Sequence, residues 1–338
     1  DSLQTQRQYL DELIEDYGIY FEKLVDFDAR QRELVDRTRT LTEFIDARVL
    51  WVPSGVGIER QDWSSVGPAI QWFVAKKHWA QLKKGLTELW QRAPGLNLLV
   101  LLLALASILI APRVRARIRA CGEAVRSFAN VSFVPTLAAL GWTHLRFAWL
   151  PGALLYFGWQ LGRSPVATQF TRCIAAGLMA SAIFWLSLRW VRALLLPNGI
   201  AEAHCGLGRH VVASVRHLIL WLAFVTVPAV FLIFVFEARG ETPWTESVGR
   251  LAFLVAMLAI TGFTYWLVRS NGPFQHAQTF GESPRGRRLW LFLRVLLVLV
   301  PLALIVTASR GFYWTALQLA FRQHLSLLLV FLLFVVFR

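Results

Sequence analysis

Seven long apolar stretches, each with a charge-free centre, dominate the chain after residue 95. A membrane-spanning helix needs roughly 20 mostly apolar residues, and each stretch approaches that length when its polar flanks reach towards the membrane surface. Only helices and closed barrels satisfy every backbone polar group in lipid, and these stretches lack the alternation of a barrel strand. We therefore predict an all-α, polytopic membrane protein with spans at residues 96–111, 147–162, 171–188, 216–236, 249–268, 289–309 and 324–338.

The gaps between these stretches alternate between dense and sparse in arginine. The first gap is dense, with Arg113, Arg115, Arg117 and Arg119, and a later dense gap contains Arg287 and Arg288. Cytoplasmic loops carry an excess of Lys and Arg, so the alternation predicts an N-terminal region outside the cytoplasm and a cytoplasmic Arg338. These six arginines are also candidate contacts to lipid headgroups, because anionic headgroups attract basic side chains beside the spans.

The net charge of +14 follows from this distribution. Residues 1–93 carry 13 basic and 15 acidic side chains, whereas residues 94–338 carry 22 basic and 6 acidic ones. The basic excess thus lies beside the spans, and no nucleic-acid-binding module accompanies it. We expect membrane lipids rather than nucleic acid as the partner.

Residues 1–54 are predicted to form a helical arm. Two amphipathic patterns with 3–4 spacing are separated at Asp26 and Asp28, and Asp28 is a candidate N-cap for the second helix. The pair of helices suits an antiparallel hairpin or the end of a longer helical array. Pro53 with the glycines after it ends the arm.

Residues 55–93 are predicted to form a linker and an amphipathic helix with four lysines. Trp72, Trp79 and Trp90 lie along this segment, and tryptophan is favoured at the boundary between water and bilayer. One interpretation is a helix lying in the outer membrane interface, with these three residues as lipid contacts. The other is a helix packed on the soluble arm.

Small residues and prolines mark places within the spans of residues 94–338, the predicted transmembrane sensor domain. Small residues four apart let two helices approach closely more often than they line a pore. Proline removes an internal hydrogen bond and kinks a helix. The candidate packing residues are Ala176, Gly177, Ala180 and Ser181, and the candidate kinks are Pro151, Pro228 and Pro301.

We expect no catalytic site, no cofactor and no metal. His204, Cys205 and His210 lie within seven residues, but a structural zinc site needs four ligands at recurrent spacings. Near the C-terminus, we expect an interfacial helix at residues 312–323 and a span that starts at His324. The alternative is that Arg322 and His324 form a charged gating contact.

Three groups of residues, spread along the whole chain, resemble the MscK/MscM (KefA-like) branch of large MscS-type mechanosensitive channels. The first lies in the arm and comprises an Asp-Ala-Arg-Gln-Arg run within 24–34 followed by Phe-Ile-Asp-Ala-Arg-Val-Leu-Trp-Val-Pro-Ser at 44–54. The second and third are junctions between spans, Gly199 with Ala201–His204 and Gly311–Leu319. Cys205 departs from the aromatic residue that the family has after this histidine, and Trp314 departs from a tyrosine.

The resemblance implies the periplasmic helical domain and membrane-tension-sensing region of a channel that relieves osmotic pressure in the bacterial inner membrane. It further implies a homoheptamer, a pore helix and a cytoplasmic β-domain; the latter two are not found in this sequence. Because the sequence starts at Asp1 and stops after an apolar run, we expect a segment of a longer protein. The alternatives are a stand-alone transporter or lipid-handling protein, against which the lack of carboxylates in the apolar stretches argues, and a structural anchor for the arm.

Overall fold

The computed structural model describes residues 2–48, 57, 60–114, 116–117, 141–142, 147–195, 208–269 and 284–337. Every regular element among these residues is a helix, so the prediction of an all-α fold is confirmed. The helices are α1 (Ser2–Arg48), α2 (Arg60–Val74), α3 (Lys76–Arg92), α4 (Pro94–Leu109), α5 (Trp149–Gly162), α6 (Gln169–Leu194), α7 (Arg209–Arg239), α8 (Thr242–Val268), α9 (Pro284–Ser309) and α10 (Tyr313–Phe337). Helix α8 contains a five-residue π-helical segment, Thr245–Gly249, after its first turn.

The described part of the N-terminal unit, residues 2–48, is one uninterrupted helix, α1. The predicted division at Asp26 and Asp28 is therefore wrong. Each aspartate instead pairs with an arginine one turn later, Asp26 with Arg30 at 3.7 Å and Asp28 with Arg32 at 2.7 Å. Such exposed pairs contribute little energy, but their i,i+4 geometry suits a continuous helix, and neither glycine nor proline follows to end it before residue 48.

Helices α2 and α3 replace the single amphipathic stretch that the sequence indicated. The chain turns between them at Ala75, whose φ of −58° and ψ of 120° are not helical. One face of α3 is buried through Leu82, Gly85 and Leu89, while its four lysines are exposed. Helix α3 thus packs with an apolar face and presents a basic face outward.

Four helices among the described residues are long and apolar enough to cross a membrane: α6, α7, α8 and the part of α9 that starts at Leu291. The number is up to five if α3 and α4, which meet at a sharp bend, together form one span. Within the most apolar window of each of the four, only 17–28% of the residues are buried inside the protein. Because exposed apolar surface on this scale is unfavourable in water, these helices require lipid, and the chain is a polytopic membrane protein.

Each of the seven predicted spans overlaps one helix from α4 to α10. Helix α5, with 14 residues, is shorter than the roughly 20 residues of a full span. The number of seven spans therefore stays a prediction.

Helices α4 to α10 pack in chain order, each against the next. Among the buried apolar clusters between them, one joins α3, α5, α6 and α7 and another joins α7, α8, α9 and α10. The first consists of Leu82, Leu89, Leu161, Phe170, Cys173, Ile174, Ala175 and Val235. The second consists of Ala229, Ile233, Ala252, Phe253, Ala256, Met257, Leu304, Ala308, Tyr313 and Ala316. Helix α7 contributes residues to both clusters and so connects the two groups of helices.

The junction between α9 and α10 is a tight turn at Gly311, whose φ is +94°. The next residues enter the core, since Tyr313 and Ala316 are both 0% exposed. Helix α10 then continues without a break to Phe337, so the predicted separation of an interfacial helix at residues 312–323 is wrong. Across this continuous helix, His324 Nε2 lies 2.8 Å from the hydroxyl of Ser187 on α6.

Replacing Gly311 by alanine is expected to lower the free energy of unfolding by about 1–2 kcal/mol. The reason is that a Cβ at a φ of +94° meets the following carbonyl group. Thermal unfolding of the purified chain in detergent measures the change. The control is Gly152→Ala in α5, where an added Cβ meets no atom within 4 Å; equal destabilisation by both substitutions would contradict the role assigned to the turn.

Candidate functional site

The carboxyl-terminal end of α7 is held by Arg239. Its guanidinium lies over the ring of Trp72 from α2 at 5.3 Å and over the ring of Trp244 from α8 at 5.5 Å. It also forms an ion pair with Glu241. Each cation–π contact contributes about 0.5–2 kcal/mol, with the larger values in desolvated sites, and the Arg239 side chain is only 19% exposed. The end of α7 is thereby fixed to α2 and to the start of α8.

Trp72 is the centre of an aromatic cluster, which consists of Trp72, His78, Phe170, Phe236 and Trp244. The ring centroid of Trp72 lies 5.5 Å from that of His78, 5.1 Å from Phe170, 6.1 Å from Phe236 and 5.5 Å from Trp244. His78 Nδ1 is 2.8 Å from the Trp72 carbonyl oxygen, so this nitrogen carries the proton and donates it. Because the five residues come from five different helices, α2, α3, α6, α7 and α8, the cluster joins the basic helix α3 to the ends of three spanning helices.

A buried asparagine holds the 100° bend between α3 and α4. Asn97 is 0% exposed, and its Nδ2 donates a hydrogen bond to the Leu89 carbonyl oxygen at 2.8 Å. The Tyr156 hydroxyl of α5 donates to Asn97 Oδ1 at 2.9 Å, and Gln160 Nε2 donates to that hydroxyl at 2.9 Å. Leaving a buried amide unsatisfied costs about 1–3 kcal/mol. These bonds, here called the Asn97 network, therefore fix the bend and its position against α5.

A buried charge lies where the π-helical segment passes into the rest of α8. Arg250 is 2% exposed and pairs with Glu246, one turn earlier, at 3.4 Å. Tyr313 packs beside them, with its hydroxyl 3.2 Å from the position that a Cβ on Gly249 would take. The Thr245 hydroxyl donates to the Phe236 carbonyl oxygen of α7 at 3.0 Å. This Arg250 cluster joins α7, α8 and α10, and π-helical segments occur often at functional sites.

Close helix packing depends on glycines in α5 and α6. A Cβ on Gly177 would lie 2.6 Å from Val235 Cγ2 and 2.8 Å from the Phe231 carbonyl oxygen, both in α7. A Cβ on Gly158 would lie 3.2 Å from the Ala175 carbonyl oxygen, and one on Gly162 would lie 3.3 Å from Ala175 Cβ. Such approaches maximise van der Waals contact between helices in lipid, so α6 is held closely on both sides.

The described residues do not assemble a metal site from three or more His, Cys, Asp or Glu side chains. His204 and Cys205 lie outside the residues that the structure describes. The geometry suits a mechanical connection between helices. The aromatic cluster and the Asn97 network join the basic amphipathic helix α3 to the apolar helices. A displacement of α3 would therefore act on α4, α6 and α7.

The predicted lipid contacts fall in different surroundings. Trp79 and Trp90 are each 43% exposed, whereas Trp72 is half-buried in the aromatic cluster. Arg113, Arg117 and Arg288 are exposed. Arg115 and Arg119 lie outside the described residues, and the structure places Arg287 in α9 without describing its side chain. The structure thus places Trp72 within the aromatic cluster, and Trp79 packs against Phe170 of that cluster with ring centroids 5.7 Å apart.

The candidate packing residues all lie in α6. Gly177 and Ser181 are buried, Ala176 and Ala180 are half-buried, and the Ser181 hydroxyl donates to the Leu178 carbonyl oxygen of its own helix. Of the candidate kinks, Pro228 and Pro301 lie inside continuous helices. Pro151 instead lies in the first turn of α5, where the missing N–H removes no intrahelical bond, so it does not interrupt that helix.

Sequence reasoning missed the residues that form the Asn97 network, the Arg250 cluster and the α5–α6 contact. Two of these three sites, the α5–α6 contact and the Asn97 network, had a signal in the sequence. Gly158 and Gly162 are four residues apart, the spacing of a close helix pair in membranes. Asn97 is a polar residue in an apolar run, which in a membrane indicates a specific partner. The approach of Tyr313 to Arg250 and Glu246 had no such signal, because Tyr313 is distant from both in sequence.

Comparison with known proteins places this geometry in context. Residues 95–338 match the family described as mechanosensitive ion channel inner membrane domain 1. The mechanosensitive channel MscK of Escherichia coli (strain K12) is 22% identical over 329 residues, which cover 94% of this chain and 27% of that protein. The miniconductance mechanosensitive channel MscM of the same organism is 25% identical over 206 residues, covering 60% of this chain and 18% of that protein. The chain thus spans about a quarter or less of the length of these relatives, and no solved structure matches it significantly.

Proposed function

Because this chain belongs to the large MscS-type mechanosensitive channels of the KefA-like branch, we propose that it forms the membrane-tension-sensing region of such a channel. The observation that carries this proposal is the bend between α3 and α4. A basic amphipathic helix, α3, is turned by 100° onto the apolar helix α4, and the buried Asn97 network fixes the two together. Helix α3 of this pair suits the headgroup region, and helix α4 suits the hydrocarbon core.

In this proposal, tension changes the equilibrium between two conformations of different in-plane area. A tension-dependent shift requires that the two states interact differently with the bilayer. Helix α3 would follow the headgroup region when the bilayer thins and spreads. Its movement would reach α6 and α7 through the aromatic cluster and then α8 to α10 through α7, which contributes to both apolar clusters.

The full arrangement that we propose has seven spans in the bacterial inner membrane, with a periplasmic arm and a cytoplasmic Arg338. The charge alternation of the gaps supports this orientation. We further propose that the channel is a homoheptamer and relieves osmotic pressure. In it, ions would pass through a pore module and a cytoplasmic β-domain outside residues 1–338.

Replacing Asn97 by leucine in the full-length gene product tests the proposal. The substitution removes the bond to the Leu89 carbonyl and leaves the Tyr156 hydroxyl without its acceptor. A loss of coupling worth about 1.4 kcal/mol, within the range for one buried hydrogen bond, lowers the open probability at a fixed subsaturating tension about tenfold. Patch-clamp recording under suction, in cells without their own mechanosensitive channels, measures this change.

The matched control is Ser107→Ala in the same helix, α4. Its hydroxyl donates to the Ala104 carbonyl oxygen one turn earlier, so among the described residues no second helix loses a bond. We expect its tension response to equal that of the wild type. An Asn97→Leu channel with an unchanged tension response and normal expression would contradict the proposal and favour a structural anchor.

A further inference from the structure

A groove of about 440 Å³ opens beside the aromatic cluster. Trp72 and Phe170 form its apolar wall, and Lys77 and Arg239 are its cationic side chains. Its volume falls within the range of sites that bind small organic groups, which is roughly 300–1,000 Å³. The groove is therefore large enough for a ligand and combines an aromatic surface with positive charge.

The electrostatics of the groove favour an anion. No carboxylate lines it; the nearest acidic partner in the described geometry is Glu241, which pairs with Arg239 outside the lining. Lys77 is exposed on α3. The groove therefore offers N–H donors, two of them on cationic side chains, and no carboxylate.

The amino-terminal end of α6 adds to the positive electrostatic potential of the groove. Thr168, the N-cap residue, and Gln169, the first residue of this 26-residue helix, both line the groove. The start of a helix carries a partial positive charge of about half a unit, and its first N–H groups lack helical acceptors. Helix starts that meet basic side chains are common phosphate sites.

The position of the groove decides between a lipid and a soluble anion. It lies where α6 begins and α7 ends, and Gln169 Nε2 donates to the Arg239 carbonyl oxygen at 3.3 Å across these two ends. Trp79, on the neighbouring α3, is 43% exposed beside it and packs its ring 5.7 Å from that of Phe170. If α6 and α7 span the bilayer, this level is the headgroup region, where tryptophan is enriched.

We propose that this groove binds a phosphate-bearing anion, and that the occupant is the headgroup of an anionic phospholipid. Lys77 and Arg239 bind the phosphate, the start of α6 faces it, and the acyl chains lie along the exposed apolar faces of the spans. The lipid assignment rests on the proposed placement of α3 at the membrane boundary, whereas the phosphate site rests on the lining residues alone. A bound headgroup would connect α3 directly to α6 and α7.

Native mass spectrometry of the full chain, titrated with phosphatidylglycerol or phosphatidylcholine, tests the site. Lys77→Glu is expected to weaken the tightest phosphatidylglycerol binding about tenfold, the usual effect of losing one charge-assisted bond. The matched control is Lys84→Glu, which makes the same charge change two helical turns further on α3, on the same face but outside the lining. We expect less than a twofold effect from the control and weaker, substitution-independent binding of phosphatidylcholine.

A competition experiment with glycerol 3-phosphate and inorganic phosphate separates the two sources of the anion. Failure of both to compete at millimolar concentration supports the lipid headgroup. Competition at the same affinity as phosphatidylglycerol supports the phosphate site but overturns its assignment to lipid. Equal weakening by Lys77→Glu and Lys84→Glu, or none by either, overturns the site. Because these measurements involve no tension, they are independent of the gating experiment on Asn97.

Discussion

Replacing Gly177 by alanine is expected to separate α6 from α7 and to lower the free energy of unfolding by about 1–3 kcal/mol or more. The added Cβ would lie 2.8 Å from the Phe231 carbonyl oxygen, which belongs to the backbone of α7 and cannot rotate away. Overpacking of a closely packed core costs about this amount even when side chains can move. The expected result is a lower unfolding temperature of the purified chain in detergent.

Two further variants test the cause. Gly262→Ala adds the same methyl group inside α8, where no atom lies within 4 Å, and is expected to leave stability equal or slightly higher because alanine favours the helix. Val235→Ala removes the side chain whose Cγ2 lies 2.6 Å from the new methyl group. In the double variant it should restore part of the loss. Equal stability of Gly177→Ala and the wild type would show that α6 and α7 are less closely packed than the structure describes.

Replacing Arg250 by methionine is expected to destabilise the chain by about 3–5 kcal/mol, the usual effect of removing one partner of a buried ion pair. Arg250 is 2% exposed and Glu246 is 13% exposed, so the remaining carboxylate has little access to water. The loss should appear as lower yield of folded protein and a lower unfolding temperature. The double substitution Glu246→Leu with Arg250→Met should recover most of it, because an apolar pair avoids the desolvation of two charges.

Tyr313→Phe is the control for the same cluster. The hydroxyl is buried without a hydrogen-bond partner among the described residues, while the ring packs 5.8 Å from that of Phe253. Removing the hydroxyl and keeping the ring is therefore expected to be nearly neutral. A large loss of stability with Tyr313→Phe and none with Arg250→Met would show that the tyrosine hydroxyl, and not the ion pair, stabilises the cluster.

These two predictions concern the same element, because Val235 and the helices around Arg250 meet at α7. The Gly177 contact holds α7 against α6, and the Arg250 cluster holds its end against α8 and α10. In the proposed sensor, variants that loosen either contact would also change the tension response. Gating measurements on the stable variants, such as Tyr313→Phe, distinguish lost transmission from lost folding.

Local patterns predicted individual elements better than their boundaries. The break at Asp26 and Asp28 was wrong because aspartates that often cap a helix also form i,i+4 pairs inside one. The break before His324 was wrong because one continuous helix carries Arg322 and His324. His324 in fact contacts Phe184 and Ser187 of α6, and such a partner is distant in sequence.

The sequence by itself determined that this chain is a helical membrane protein of the large MscS-type channels. Its apolar runs must satisfy their backbone hydrogen bonds within each segment, so their secondary structure follows from local composition. Only the tertiary structure decided which residues meet: Gly177 with Val235, Asn97 with Leu89 and Tyr156, and Arg239 with Trp72 and Trp244. In lipid, helix association depends on shape and on a few polar contacts rather than on hydrophobicity. Those contacts join residues of different helices, and a pattern within one helix marks at most one residue of such a contact, never its partner.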